Sequence, residues 1–189
     1  MRRTRAGFTL VELIVTIAIL GVLGLLTVPQ LFANLPRFRV NGAAKMLAGE
    51  LQLTRMKAVS TNRIHYLTFD LTAQTVTIAE DAGGGGRTTL KTVSLASTFP
   101  GAVFGYNSVP APSGSGTISA AVAFGSGAGT EITFLPNGLL RESGAIYLIP
   151  SVDLGTANND RMRALLVSLA GQVSLRRYKG SASPPWEEY

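Results

Sequence analysis

The residues of this chain that could do chemistry are few and scattered. His65 is the single histidine, and no second histidine or glutamate stands near it at a metal-binding spacing. The glycine run 83–86 lacks the following Lys-Ser or Lys-Thr pair that a phosphate-binding loop requires. Four residues with side-chain oxygens occur close together: Asp153, Asn158, Asn159 and Asp160. Such side chains could bind Ca²⁺, but the ordinary polarity of a loop explains them better. Cysteine is absent, which excludes thiol chemistry. The sequence therefore predicts no enzyme, no cofactor and no metal site.

A second group of residues could bind anions. Alternating apolar residues on either side of Gly171 predict a hairpin near the C-terminus. Five basic residues flank this hairpin: Arg161, Arg163, Arg176, Arg177 and Lys179. If they converge at its open end, they form one patch that could follow a DNA backbone, with Tyr178 available for stacking. The favoured alternative is that these charges protect an edge strand from aggregation.

A single carboxylate lies within the longest apolar stretch. From Phe8 to Phe32 the chain has 25 residues, and Glu12 is their only charge. As a helix this stretch would measure roughly 37 Å, enough to cross about 30 Å of hydrocarbon. Three basic residues precede it: Arg2, Arg3 and Arg5. A secretory signal peptide or a plain membrane anchor would fit the apolar stretch, but neither explains a costly carboxylate inside it.

The elements that position these residues change in period along the chain. Apolar residues recur every three or four positions from Val40 to Ala58, which predicts an amphipathic continuation of the helix over 35–62. Short alternating segments separated by glycine- and serine-rich turns predict an antiparallel β domain over 63–180. The polar, proline-containing residues 181–189 are predicted to form a flexible tail unless Trp186 docks on the domain. The expected fold class is α+β, with a long N-terminal helix packed on an antiparallel sheet.

The segment "GFTLVELIVTIAILGVLGLLTVPQL" closely resembles the N-terminal signal of type IV pilins and type II secretion pseudopilins. The resemblance implies a leader over 1–7 that prepilin peptidase removes after Gly7, N-methylation of the new N-terminal Phe8, and a membrane and filament-core helix over 8–34. It also implies that Glu12 pairs with the freed amine of Phe8 in a neighbouring subunit during filament assembly. In such filaments Pro29 would mark a place where the helix can melt and stretch. A simple helix kink at Pro29 is an equally favoured interpretation.

Two later segments narrow the resemblance. "ITFLPNGLL", with Phe134, Pro136 and Gly138, and the hairpin that turns at Gly171 are similar to the general secretion pathway protein H (GspH)/FimT family of minor pseudopilins and pilins. Together the matched regions cover the first 60 residues and parts of the last 60. In the DNA-binding pilins of this family, arginines alternate directly after the glycine. Here Gln172 and Ser174 occupy those positions, and the arginines follow later.

The resemblance implies a structural minor pseudopilin of a type II secretion system as the first expectation. A minor type IV pilin that binds DNA for uptake is the alternative. The implied location is the bacterial inner membrane, crossed once, with the C-terminal domain in the periplasm. The implied partners are other pilin or pseudopilin subunits, prepilin peptidase, membrane lipid, and secreted proteins or DNA. If Gly7 is not the cleavage point, a membrane-tethered binding module outside any filament remains.

Overall fold

The computed structural model divides into two compact units, Met1–Leu35 and Pro36–Tyr189. It describes residues 8–114, 116–125, 129–180 and 184–189. Helix α1, Leu10–Thr61, contributes residues to both units. Among the described residues no single helix qualifies as a membrane span by length and hydropathy, whereas Leu10–Leu25 and Gln30–Thr61 qualify when taken together as a broken span.

The first unit is an exposed apolar helix. Its start is capped by Thr9, whose Oγ1 accepts a hydrogen bond from the Glu12 backbone N–H at 3.2 Å. Apolar side chains project on every side of the helix, as four residues spread around it show by being more than half exposed: Leu10, Val11, Ile19 and Leu20. A helix that is apolar all round is stable only in lipid or when surrounded by other helices. The helix of this unit therefore requires apolar surroundings.

In the second unit, α1 becomes one-sided. The residues that recur every three or four positions are fully or almost fully buried: Val40, Ala44, Leu47, Leu51, Thr54 and Ala58. Lys45 and Lys57 lie on the exposed face. The predicted amphipathic pattern is therefore the pattern of burial that the structure has.

The first sheet has four antiparallel strands in the order β3-β2-β1-β6. Their bounds are His65–Asp70 for β1, Thr75–Gly83 for β2, Gly86–Ser94 for β3 and Glu131–Phe134 for β6. In β1, Leu67 and Phe69 are buried while Thr68 and Asp70 face solvent. This alternation gives the sheet one apolar face.

The second sheet has six strands in the order β10-β9-β8-β7-β4, and β5 also pairs with β7. The bounds are Ala102–Phe104 for β4, Val122–Phe124 for β5, Gly144–Pro150 for β7, Arg163–Val167 for β8, Val173–Tyr178 for β9 and Trp186–Glu188 for β10. A short helix α2, Leu95–Thr98, lies between β3 and β4 in sequence. All the pairings are antiparallel, and the predicted α+β class is confirmed.

Strand β7 is buried on both faces and joins two apolar clusters. Ile146 and Leu148 belong to the main cluster, which includes the buried face of α1 and the apolar face of the first sheet. Tyr147 and Ile149 belong to a second cluster on the other side of the sheet. Both clusters lie within the second unit. Among the described residues, the buried members of both clusters run from Val40 to Trp186.

The prediction of a flexible tail over 181–189 is wrong for its last part. Trp186–Glu188 form β10, which pairs with β9. The Trp186 side chain is 3% exposed, its Nε1 donates to the Pro110 carbonyl at 2.7 Å, and its ring lies 5.2 Å from that of Tyr178. An aromatic ring with a polar handle can hold a polar segment in place when both parts find partners.

Two glycine turns meet beside α1. Gly138 and Gly171 have positive φ values of 77° and 73°. Arg55 on α1 donates from Nε to the Gly138 carbonyl at 2.9 Å. A Cβ at Gly171 would lie 2.8 Å from Arg55 Nε and 3.0 Å from the Gly138 oxygen. The two sequence segments that narrow the resemblance are thus in direct contact, and Gly171 is required by both conformation and space.

Replacement of Trp186 by alanine should destabilise the second unit by about 3–5 kcal/mol, because it leaves a cavity and exposes the edge of β9. Urea unfolding of the full chain, followed by circular dichroism, measures the change. The control is Glu188→Ala, since Glu188 lies on the same strand and is exposed. Equal midpoints for the two variants would show that β10 adds little to stability.

Gly171→Ala should cost more stability than Gly155→Ala. Both glycines have positive φ, but a Cβ at Gly155 meets no atom within 4 Å. The left-handed conformation alone should cost about 1–2 kcal/mol at each site. Crowding against Arg55 should add roughly another 1–2 kcal/mol at Gly171. Thermal unfolding of the two variants measures the difference, and equal losses would argue against a packed contact between the two turns.

Candidate functional site

The N-terminal candidate site consists of Phe8 and Glu12. Phe8 is 80% exposed, and Glu12 lies in the first turn of α1. None of the ion pairs among the described residues involves Glu12. A carboxylate in the first turn is favoured by the helix dipole, but it still needs a counter-charge in an apolar environment. Gly7, the predicted cleavage residue, lies outside the described residues.

Pro29 lies within the helical backbone of α1. The Pro29 side chain is not among the described parts of the structure. The predicted role of Pro29 in helix flexibility stays a prediction.

The five basic residues that flank the C-terminal hairpin do not form one patch. The hairpin itself is confirmed, with Val167 paired to Val173 around a turn that contains Gly171. Arg163 is only 1% exposed, and Arg176 belongs to a different surface, where Nη1 donates to the Pro112 carbonyl at 3.4 Å. The prediction of a five-residue patch is wrong, because Arg163 is buried and because Arg176 and Arg177, as consecutive positions of a strand, point to opposite faces of the sheet. The favoured alternative of a charge-protected edge strand is also wrong, because β8 and β9 each have a neighbouring strand on both sides.

Arg163 is part of the protein interior. Its Nε donates to Asn41 Oδ1 at 2.5 Å, and its Nη1 donates to the carbonyls of Asp160 and Met162 at 3.0 and 2.8 Å. Burial lowers the pKa of Arg163 from its ordinary value. Each of these contacts satisfies a donor that would otherwise be costly to bury. Arg163 therefore ties β8 to α1 and is not exposed for an external anion.

The other three predicted basic residues do meet. Arg161, Arg177 and Lys179 line an open cavity of about 340 Å³, together with Asp160, Tyr178 and Arg37 of α1. We refer to this as the basic cavity. Sequence reasoning missed Arg37 because it is more than a hundred residues away along the chain. The one available signal was its position, since it is the first basic residue after the apolar stretch.

Ion pairs hold three of these cations in place. Arg161 Nη2 lies 2.6 Å from Asp153 Oδ1, and Asp153 is buried. Arg177 Nη2 and Lys179 Nζ lie 2.6 and 2.7 Å from the same atom, Glu187 Oε2 of β10. Hydrogen bonds lower the pKa of Glu187 from its ordinary value, and the bond from Lys179 contributes more than the bond from Arg177. Arg37 takes part in none of the ion pairs among the described residues.

The remaining polar candidates serve the fold. His65 is fully buried on β1, with Nδ1 3.2 Å from the Arg63 carbonyl. Asn158 donates to Asp153 Oδ1 at 3.1 Å, the same atom that Arg161 contacts. Within the described residues no group of three or more histidine, aspartate or glutamate side chains could hold a metal ion.

Sequence comparison finds a known motif at the N-terminus. Residues 2–28 match the prokaryotic N-terminal methylation motif. No curated protein shows significant sequence similarity to the chain. The matched residues contain the predicted cleavage point, Phe8 and Glu12.

Solved structures match most of the chain. The minor pseudopilin EpsH from the type 2 secretion system of Vibrio cholerae has a TM-score of 0.51 at 12% identity, over 74% of this chain and 97% of that chain. A second EpsH structure gives 0.51 at 10% identity, over 74% and 96%. The type IV minor pilin FimU of Pseudomonas aeruginosa matches at 21% identity over 74% of this chain and 89% of that chain. Its TM-score of 0.47 is too low to support an argument about the fold.

The matched proteins are named as subunits of a secretion system or a pilus, and not as enzymes. The EpsH similarity extends over almost the whole of that protein, and the methylation motif covers the start of α1. The chain therefore carries a prokaryotic N-terminal methylation motif on a type IV pilin-like fold.

Proposed function

We propose that this chain is a minor pseudopilin of a type II secretion system. It is cut after Gly7 on the cytoplasmic side of the inner membrane, methylated at Phe8, and held in that membrane by the apolar part of α1. The second unit then lies in the periplasm. From the membrane the chain enters a short periplasmic pseudopilus that drives protein export.

The observation that carries the proposal is Glu12 at the start of an apolar helix that carries the methylation motif. Cleavage before Phe8 creates an α-amino group, and such groups have a reference pKa of about 8, so the amine is charged at neutral pH. Among apolar helices each charge alone would be costly, and pairing Glu12 with the amine of a neighbouring subunit offsets much of that cost. The carboxylate therefore fixes the register in which subunits stack.

The alternative, a type IV pilin that binds DNA, has less support. A nucleic acid site needs several exposed cations spaced along a phosphate backbone. Arg163 is buried and Arg176 lies on another surface, so only Arg161, Arg177 and Lys179 of the five predicted residues remain together. The EpsH fold supports the secretion role in preference.

Mass spectrometry of the chain recovered from bacterial membranes should find an N-terminal peptide that begins with N-methylated Phe8. A matched sample from cells that lack prepilin peptidase should retain residues 1–7. Cleavage at another position, or an unmethylated intact N-terminus in cells with active peptidase, would contradict the proposal and leave a membrane-tethered binding module.

Glu12→Ala should reduce incorporation of the chain into sheared filaments at least about tenfold, because it leaves a charged amine buried without a partner. Immunoblots that compare the filament and membrane fractions measure the ratio. The control is Glu142→Ala, since Glu142 is an exposed carboxylate of the second unit. Normal incorporation of the Glu12 variant would rule out the pairing mechanism, while equal loss in both variants would indicate a general effect of charge.

A further inference from the structure

We infer that the basic cavity binds the phosphate of an anionic phospholipid headgroup while the chain waits in the membrane for assembly. The inference rests on the membrane anchoring that the proposed function includes. It adds a partner and a site to that function. The ligand class is a headgroup with a net negative charge, in which no ammonium group balances the phosphodiester, as in phosphatidylglycerol.

The first support is the chemistry of the lining. Arg37, Arg161, Arg177 and Lys179 face the cavity, and Asp160 is the one carboxylate among the lining residues. Guanidinium groups have five N–H donors each and match the oxygens of a phosphate, while an ammonium adds three. An anion with several oxygen acceptors is the ligand that such a lining fits.

The second support is that the pairing of these cations leaves donors unused. Arg177 and Lys179 share a single oxygen, Glu187 Oε2. Arg161 contacts Asp153 through Nη2, which leaves the rest of its guanidinium for another acceptor. Arg37 has no ion pair among the described residues. The carboxylates therefore orient the cavity without saturating it.

The third support is the place of Arg37 in the chain. The apolar stretch ends at Phe32, and the five residues from there to Arg37 span at most roughly 18 Å in any conformation. A cation at this position faces the headgroups of the periplasmic leaflet, and it attracts any anionic lipid present there. Since Arg37 lines the basic cavity, the chain connection alone keeps this cavity within reach of the headgroup layer.

The number of converging cations favours a lipid over DNA. The cavity of about 340 Å³ is within the range of small-ligand sites and has room for one phosphate with its glycerol. DNA would need further cations aligned along the surface, and two of the predicted ones are buried or on another surface. A single headgroup uses only the cations that do converge.

The test uses the full chain in neutral detergent micelles. Native mass spectrometry counts the phosphatidylglycerol and phosphatidylcholine molecules that remain bound after equal amounts of both are added. We expect at least tenfold more phosphatidylglycerol than phosphatidylcholine on the unmodified chain. In Arg37→Gln/Lys179→Gln this preference should fall about tenfold. The matched control is Lys57→Gln/Arg141→Gln, which removes the same charge from exposed positions elsewhere in the second unit and should keep the preference.

Each other outcome would overturn the inference. Equal binding of the two lipids, or an equal loss of preference in both double variants, means that no headgroup site exists at the basic cavity. Displacement of the lipid by millimolar inorganic phosphate means a site for free phosphate. Binding of duplex DNA that is lost in the first double variant, without a lipid preference, means a nucleic acid site.

Carbonate extraction of the vesicle-bound chain tests the proposed membrane anchoring separately, because an inserted chain resists extraction. Failure to insert into phosphatidylcholine vesicles would contradict the anchoring itself. Stable insertion without a preference for phosphatidylglycerol would overturn the headgroup site alone. Circular dichroism melting curves show whether the double variant has lost its fold. If it has, Arg37→Gln alone replaces it, because Arg37 is exposed.

Discussion

The burial of one face of α1 is the contact on which the second unit depends. Leu47 and Leu51 lie in the same apolar cluster as Phe134 of the first sheet and Leu148 of the second. A sheet with one apolar face must cover it with another element, and here a single helix face serves both sheets. Loss of that face would leave each sheet with exposed apolar surface. The helix is therefore the structural centre of the domain as well as its connection to the apolar segment.

Further elements depend on that packing in turn. Because β7 is buried on both faces, the second sheet needs a cover on its far side, and Trp186 of β10 contributes to it. Glu187 on the same strand holds Arg177 and Lys179 in place, so the strand that completes the core also shapes the basic cavity. Arg163 ties β8 to Asn41 of α1. Polar and apolar contacts thus connect the helix, the hairpin and the C-terminus into one unit.

Sequence reasoning succeeded where the structure depends on the local pattern of residues. The amphipathic period from Val40 to Ala58 and the hairpin around Gly171 follow from neighbouring residues, and the structure has both. It failed for the C-terminal segment, where polar composition predicted a free tail, because one tryptophan with distant partners outweighed the rest. It also failed for the basic patch, because the faces of β8 and β9 and the position of Arg37 are set by tertiary contacts.

The sequence by itself determined the N-terminal chemistry of this protein. In the proposed function, Glu12, Phe8 and the apolar stretch act through a membrane or neighbouring subunits, so the signal lies in the order and composition of these residues. Only the tertiary structure decided which cations face solvent together. Residues 37, 161, 177 and 179 meet because α1 packs against the second sheet and β10 completes its edge. Burial then removed Arg163 from that group, since its donors find their acceptors inside the protein.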